Sequence, residues 1–216
     1  MVSITIFVEG GVVPHENDAA ATIDNSHNLR ESFYHLFTQF VENEEINIIV
    51  QPGGGYKQTL LFFKNQIQKD KNCALLMDLD APKENKNERI KELTLENFEN
   101  NTFFMIQEME AWILSQPDKI EEYGIAKGFI REKNNELIAD DNQIKDKFAE
   151  FISKPSRILN IIMQRYFSVL KNGKKKKIEY GKLKDAPGML KLLNVDLLRS
   201  TFGDVQDLKL FITNQN

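Results

Sequence analysis

The sequence predicts an α/β protein, with a central, mostly parallel four-stranded sheet flanked by helices and a helical C-terminal region. Three observations carry that prediction. Four short apolar runs each meet a Gly, Pro or acidic residue within two positions of their end, a helical pattern follows each run, and strand-like runs cease after residue 106. Strands alternating with helices in this order build a parallel sheet with helices on both faces.

The first run, Val2–Val8, alternates in β-branched residues and stops at Glu9-Gly10-Gly11, so a strand delivers an acid to a glycine turn. Residues 12–27 read as polar and irregular. Asn28–Val41 then spaces Leu29, Phe33, Leu36, Phe37 and Phe40 by three and four, the mark of an amphipathic helix. Ile46–Val50 is a second strand closed by Gln51-Pro52-Gly53-Gly54-Gly55, and Leu60–Ile67 a second helix. Cys73–Met77 is a third strand entering Asp78-Leu79-Asp80-Ala81-Pro82, where Pro82 ends regular structure. Arg89–Phe98 is expected to be helical, Thr102–Ile106 to be the fourth strand, and Glu108–Leu114 to start another helix.

Beyond residue 117 the pattern changes. Residues 118–147 are dense in charge, while Ile158–Leu170 and Met189–Phe202 show the spacing of short amphipathic helices, and no further strand is expected. This divides the chain into an α/β core, residues 1–116, and a helical extension, 117–216. The extension is expected to pack on the core as one unit, because no Gly/Ser- or Pro-rich linker separates them.

With 216 residues, 41% hydrophobic and 28% charged, and a net charge of −4, the chain is an ordinary globular sequence long enough to bury a core. Cys73 is the single cysteine, which excludes an internal disulfide and a Cys-based zinc site and points to a reducing, cytoplasmic setting. The opening MVSITIFVEGG lacks the basic segment and small-residue cleavage site of an export signal. No run reaches the roughly 18 apolar residues of a membrane span, so no membrane partner is expected.

Net charge hides an asymmetry. Residues 171–184, KNGKKKKIEYGKLK, set seven Lys against one Glu, and the rest of the chain is correspondingly more acidic. Lys174, Lys175, Lys176 and Lys177 with Tyr180 suit nucleic-acid binding, in which lysines release cations condensed on the phosphate backbone; a solvated loop is the plainer explanation. Gly54 and Gly55 with Lys57 can present backbone N–H groups to a phosphate, although the P-loop pattern is missing and a plain β-to-α turn competes. His15, His27 and His35 lack metal-ligand spacing and read as surface histidines, while Trp112, Phe103 and Phe104 read as core packing.

The acids are the sharper signal. In open α/β sheets ligands bind beyond the carboxyl ends of the strands. Glu9 ends strand one, Asp78 and Asp80 end strand three, and Glu108 with Glu110 follow strand four, so these carboxylates are expected to meet at one sheet edge. Converging like charges raise one another's pKa, whereas hard divalent cations such as Mg²⁺ stabilise the ionised forms. Asp78 and Asp80, two apart in an extended segment, are expected to project to one side while Leu79 turns to the core.

IFVEGG (Ile6–Gly11) and LLMDLDAP (Leu75–Pro82) resemble the two signature motifs of the topoisomerase–primase (TOPRIM) fold. FFMIQEMEAWIL (Phe103–Leu114), KPSRILN (Lys154–Asn160) and YGKLK (Tyr180–Lys184) resemble a TOPRIM-like prokaryotic domain-of-unknown-function family. That family is associated with ATPases in anti-phage defence and related to overcoming-lysogenization-defect nucleases. The resemblance implies Mg²⁺- or Mn²⁺-dependent phosphodiester cleavage of DNA or RNA with one or two ions. It makes Glu9 a metal ligand or general acid/base, Asp78 and Asp80 the principal ligands, and Glu108 or Glu110 a further ligand. Lys182 would neutralise charge developing on the phosphate. The partners it implies are nucleic acid, an ATPase and, by analogy, a second copy in a homodimer. Two alternatives compete: a noncatalytic interaction or regulatory module binding an ATPase or nucleic acid, and a small-molecule phosphotransfer enzyme.

Overall fold

The computed structural model describes residues 2–11, 20–41 and 45–214, the side chains of residues 20–25 excepted. His15 lies outside the described residues. Strand β1 (Val2–Val8) leads through helix α1 (Ala20–Thr38) to β2 (Ile46–Pro52), and helix α2 (Tyr56–Ile67) leads on to β3 (Cys73–Asp78). Helix α3 (Lys86–Glu92) and a 3₁₀ turn precede β4 (Thr102–Met105). All four strands run parallel in the order β2-β1-β3-β4. From β1 the chain goes first to one neighbour and then to the other, so strand order reverses between β1 and β3, where α/β sheets bind ligands.

Alternation along the strands divides the core into two faces. Ile4, Ile6, Val8, Ala74, Leu76, Phe103 and Met105 pack with Leu29, Phe33 and Phe37 of α1 and with the buried Trp112. Phe7, Cys73, Leu75, Met77 and Phe104 pack on the opposite face with Phe63 and Ile67 of α2 and Ile90 of α3. Trp112, Phe103, Phe104 and Cys73 are core residues, as expected. His27 and His35 lie exposed on α1.

The C-terminal part is mostly helical: α4 (Glu110–Leu114), α5 (Pro117–Ala126), α6 (Pro155–Tyr166), α7 (Lys182–Leu190), α8 (Val195–Thr201) and α9 (Gly203–Thr213). Its apolar residues join the α1-side core as far as Ile212. The expectation of no further strands fails. Strands β5 (Ile130–Arg131), β6 (Phe167–Lys171) and β7 (Lys174–Lys177) form an antiparallel sheet in the order β5-β6-β7. The helix expected over Ile158–Leu170 therefore ends at Tyr166, and its last four residues belong to β6. Asn172 and Gly173 both have positive φ, 53° and 71°, the backbone a two-residue hairpin needs.

Other boundaries shift for local reasons. Helix α1 starts eight residues earlier than its apolar spacing shows. The helix expected over Arg89–Phe98 is α3, broken at Thr94 (φ 51°). The stretch Met189–Phe202 is divided because the Asn194 side chain accepts hydrogen bonds from the backbone N–H of Asp196 and Leu197 and starts α8. Among the described residues no helix is long and apolar enough to cross a membrane.

Candidate functional site

Parallel pairing puts Glu9 and Asp78 on neighbouring strand ends. The Glu9 backbone N–H donates to the Leu76 carbonyl at 3.0 Å, and the glycine turn behind it is held by Gly10 N–H donating to Gly54 O at 2.9 Å. The loops after β3 and β4 are joined by two backbone hydrogen bonds, Asp80 N–H to Gln107 O at 2.7 Å and Gln107 N–H to Ala81 O at 3.1 Å. Both Asp80 (φ 55°) and Gln107 (φ 61°) take the left-handed conformation that L-residues seldom adopt. This corrects the extended Asp-Leu-Asp picture at its second acid: β3 ends at Asp78, which is buried, and Asp80 is left-handed and exposed, while both side chains line one cleft. Leu79 does turn to the core.

The C-terminal half supplies the cation. Gly181 starts α7, with its N–H donating to Asp185 Oδ2 at 2.8 Å, while Tyr123 Oη donates to Asp185 Oδ1 at 2.8 Å. That fixes Lys182 in the first turn, where its Nζ lies 2.8 Å from Asp78 Oδ2 and 3.8 Å from Glu110 Oε2. Asp78 Oδ1 accepts from the Met109 N–H at 2.8 Å, and Glu110 Oε1 accepts from Tyr180 Oη at 2.9 Å. Around this pair opens a cleft of about 540 Å³. Asp78, Asp80, Glu108, Glu110 and Lys182 line it together with Ser156, Arg157, Asn160 and Tyr180, whereas Glu9 is not among the lining residues and meets the site through its charge interactions with Asp78, Asp80 and Lys182.

Burial and like charge set the protonation. Burial first, then the charges of Asp78 and Asp80, push the Glu9 carboxyl up to about 7 against the pull of Lys182. Burial also raises Asp78 and Glu110, with Lys182 opposing both. Burial lowers Lys182, but the attraction of Asp78 and Glu110 outweighs it, so the ammonium is held charged. Tyr180 is pushed well up by burial and by Glu110, which keeps its hydroxyl a donor.

The acids expected at the strand ends do not play one role. Glu108 Oε2 accepts from the Ser156 N–H at 2.7 Å and so faces the start of α6. Gly54 and Gly55 form the turn into α2 and Lys57 is exposed beside Tyr56; none of the three lines the cleft. Lys174–Lys177 form β7, all exposed and none of them a lining residue of the cleft, and Lys175 pairs with Glu132 at 2.8 Å. Sequence reasoning gave no role to Asn160, Ser156 or Arg157 and set Tyr180 with the lysines rather than with the acids, although all four fall in the segments KPSRILN and YGKLK.

Three buried carboxylate oxygens have no hydrogen-bond partner among the described residues, Glu9 Oε2 and Glu110 Oε2 at the strand ends and Glu150 Oε1 elsewhere, and Glu110 Oε2 has the Lys182 ammonium at 3.8 Å as its ion-pair partner. Buried polar atoms are nearly always partnered, and hard oxygen donors carrying excess negative charge fit a hard divalent cation. Among the described residues no three carboxylates stand gathered as a finished ligand shell, and Lys182 supplies the counter-charge between Asp78 and Glu110. The oxygen donors are of the kind hard divalent cations take, but among the described residues they are not gathered around one point, and the cation in contact with them is Lys182.

No curated protein and no solved structure matches the chain. Residues 20–208 match the family described as Domain of unknown function (DUF4276). With that match spanning most of its length, the chain belongs to the DUF4276 family of domains of unknown function.

Proposed function

We propose that the cleft hydrolyses phosphodiester bonds of DNA or RNA with the help of one or two Mg²⁺ or Mn²⁺ ions. The observation that carries this reading is the pair of buried oxygens on Glu9 and Glu110 that accept no hydrogen bond among the described residues, on carboxyls that both interact with Asp78 at the strand-order reversal. Glu9, Asp78 and Glu110 would hold the ion, with Asp80 at the exposed mouth. When bound, such an ion supplies Lewis-acid polarisation of the phosphoryl group. Glu9, with its carboxyl near 7, can hold or release a proton at working pH. Lys182 offers an ammonium to charge developing on the phosphate. Tyr180 orients Glu110 through its hydroxyl.

The order of acids also follows the TOPRIM pattern described above, and a cytoplasmic defence effector working with an ATPase is the setting that resemblance implies. One observation favours the noncatalytic alternative: the Asp78–Lys182 pair is already satisfied without a metal. Incubating the protein with labelled DNA and RNA in Mg²⁺, Mn²⁺ or EDTA separates the two. Cleavage that needs the metal and disappears in Asp78→Asn supports hydrolysis. Absence of cleavage with either ion, alone and with an ATPase partner, leaves the binding module.

A further inference from the structure

The segment leading into α6 carries two phenyl rings that the core leaves unused. Phe148 is 77% exposed and Phe151 is 63% exposed, and their rings meet edge to face with centroids 6.2 Å apart. Paired aromatics kept in water mark an interaction surface. Their place in the fold says which one. Glu150, between them in sequence, faces Lys83 at 3.9 Å, and Lys83 lies three residues beyond Asp80. The turn Ala149–Phe151 also packs on α4, which carries Glu110. From there the chain runs directly into Ser156 and Arg157, which line the cleft.

The segment that carries the rings is itself net basic. Residues 143–157 hold four basic and two acidic side chains. Two of the basic ones are uncommitted: the side chains of Arg157 and Lys154 make no ion pair or hydrogen bond among the described residues. Lys154 is held at φ 53° immediately before α6, a conformation that Lys seldom adopts.

We propose that this rim selects single-stranded nucleic acid, with Phe148 and Phe151 stacking on unpaired bases while Arg157 and Lys154 contact the adjoining phosphates. The inference rests on the phosphodiester reading of the cleft and names the form of its substrate. Every unpaired base offers a ring face, whereas a duplex hides its faces inside the stack, so an exposed aromatic pair discriminates strand from duplex without reading sequence. Arginine beside the rings adds a planar cation suited to phosphate.

The test is an anisotropy titration of the full chain with a labelled strand of roughly 12 nucleotides and with its duplex, in EDTA so that no hydrolysis intervenes. The strand is expected to bind more tightly than the duplex. F148L/F151L keeps apolar area but loses the ring faces, and is expected to weaken strand binding at least about tenfold at unchanged melting temperature, whereas F148W/F151W retains it. Equal affinity for strand and duplex overturns the proposal. So does wild-type binding by the leucine variant, which would mark a surface for a protein partner instead. Selective strand binding in EDTA without cleavage in Mg²⁺ or Mn²⁺ removes the hydrolytic reading and leaves the stacking platform standing.

Discussion

Lys182 Nζ donates to Asp78 Oδ2 at 2.8 Å across 104 residues of sequence. This bond fastens the C-terminal helices to the edge of the sheet and gives the cleft its only cation in contact with a buried acid among the described residues. It also makes Lys182 the natural competitor of a metal ion.

Lys182→Met leaves Asp78 and Glu110 buried without their counter-charge. In EDTA the variant is expected to unfold with about 2 kcal/mol less stability, below the full cost of breaking a buried pair because the Lys182 side chain is 39% exposed. Urea unfolding measures this, and Mg²⁺ is expected to return part of the loss. A variant as stable as the wild type in EDTA would show that the carboxylates are neutral without Lys182.

Glu9 gives the protein a pH dependence of definite sign. Its carboxyl lies near 7 in the fold against 4.5 in the open chain, so the protonated form favours folding. That contribution is whole below about 4.5 and is lost as pH rises through 7. Wild type is therefore expected to lose stability relative to Glu9→Gln between pH 5 and 8 in EDTA, by thermal melting. Stabilisation by Mg²⁺ is expected to grow over the same interval, because binding favours the ionised carboxylate. Parallel profiles for the two proteins would place Glu9 outside the site's electrostatics.

The lysines of β7 are all exposed, and among the described residues Lys175 alone of them is paired, with Glu132. Replacing Lys174–Lys177 by Ala is expected to flatten the slope of log affinity for nucleic acid against log salt by roughly 3. An unchanged slope, read by anisotropy at several salt concentrations, assigns the lysines to a different task. Guarding an open sheet edge is one such task, and self-association of the variant on a sizing column would reveal it.

Gly53 supports the turn beside Glu9. Its N–H donates to the Val8 carbonyl at 3.1 Å, and a Cβ there would lie 2.4 Å from the Thr59 Cα, a backbone atom with no freedom to yield. Gly53→Ala is expected to cost about 1–3 kcal/mol of stability and to loosen the Gly10–Gly54 bridge. A melting temperature equal to that of the wild type would show the turn to be adaptable.

The four parallel strands were legible because each is an apolar run that meets a turn residue or an acid within two positions of its end, which also placed Glu9 and Asp78 at strand ends. The small sheet was not, because Lys is a poor strand former and β7 is Lys at every position. The signal that was present is Asn172-Gly173, whose paired positive φ angles make a tight hairpin turn. The site was half legible. Glu9, Asp78, Glu110 and Lys182 could be named from sequence, but not that Lys182 bonds Asp78 or that Glu108 faces α6, since both contacts depend on how distant helices dock. The left-handed turn at Asp80 was equally hidden, because it is fixed by hydrogen bonds to the Gln107 loop.

The most direct test is a titration of the full-length protein with Mn²⁺ at pH 7.5, reading bound metal by electron paramagnetic resonance, for wild type and Asp78→Asn. Asparagine keeps an acceptor for the Met109 N–H, so the fold is expected to persist while the site loses its central charge. One or two ions bound by the wild type and none by the variant is the expected result. Equal binding by both, or none by either, would contradict a metal site built on Glu9, Asp78 and Glu110.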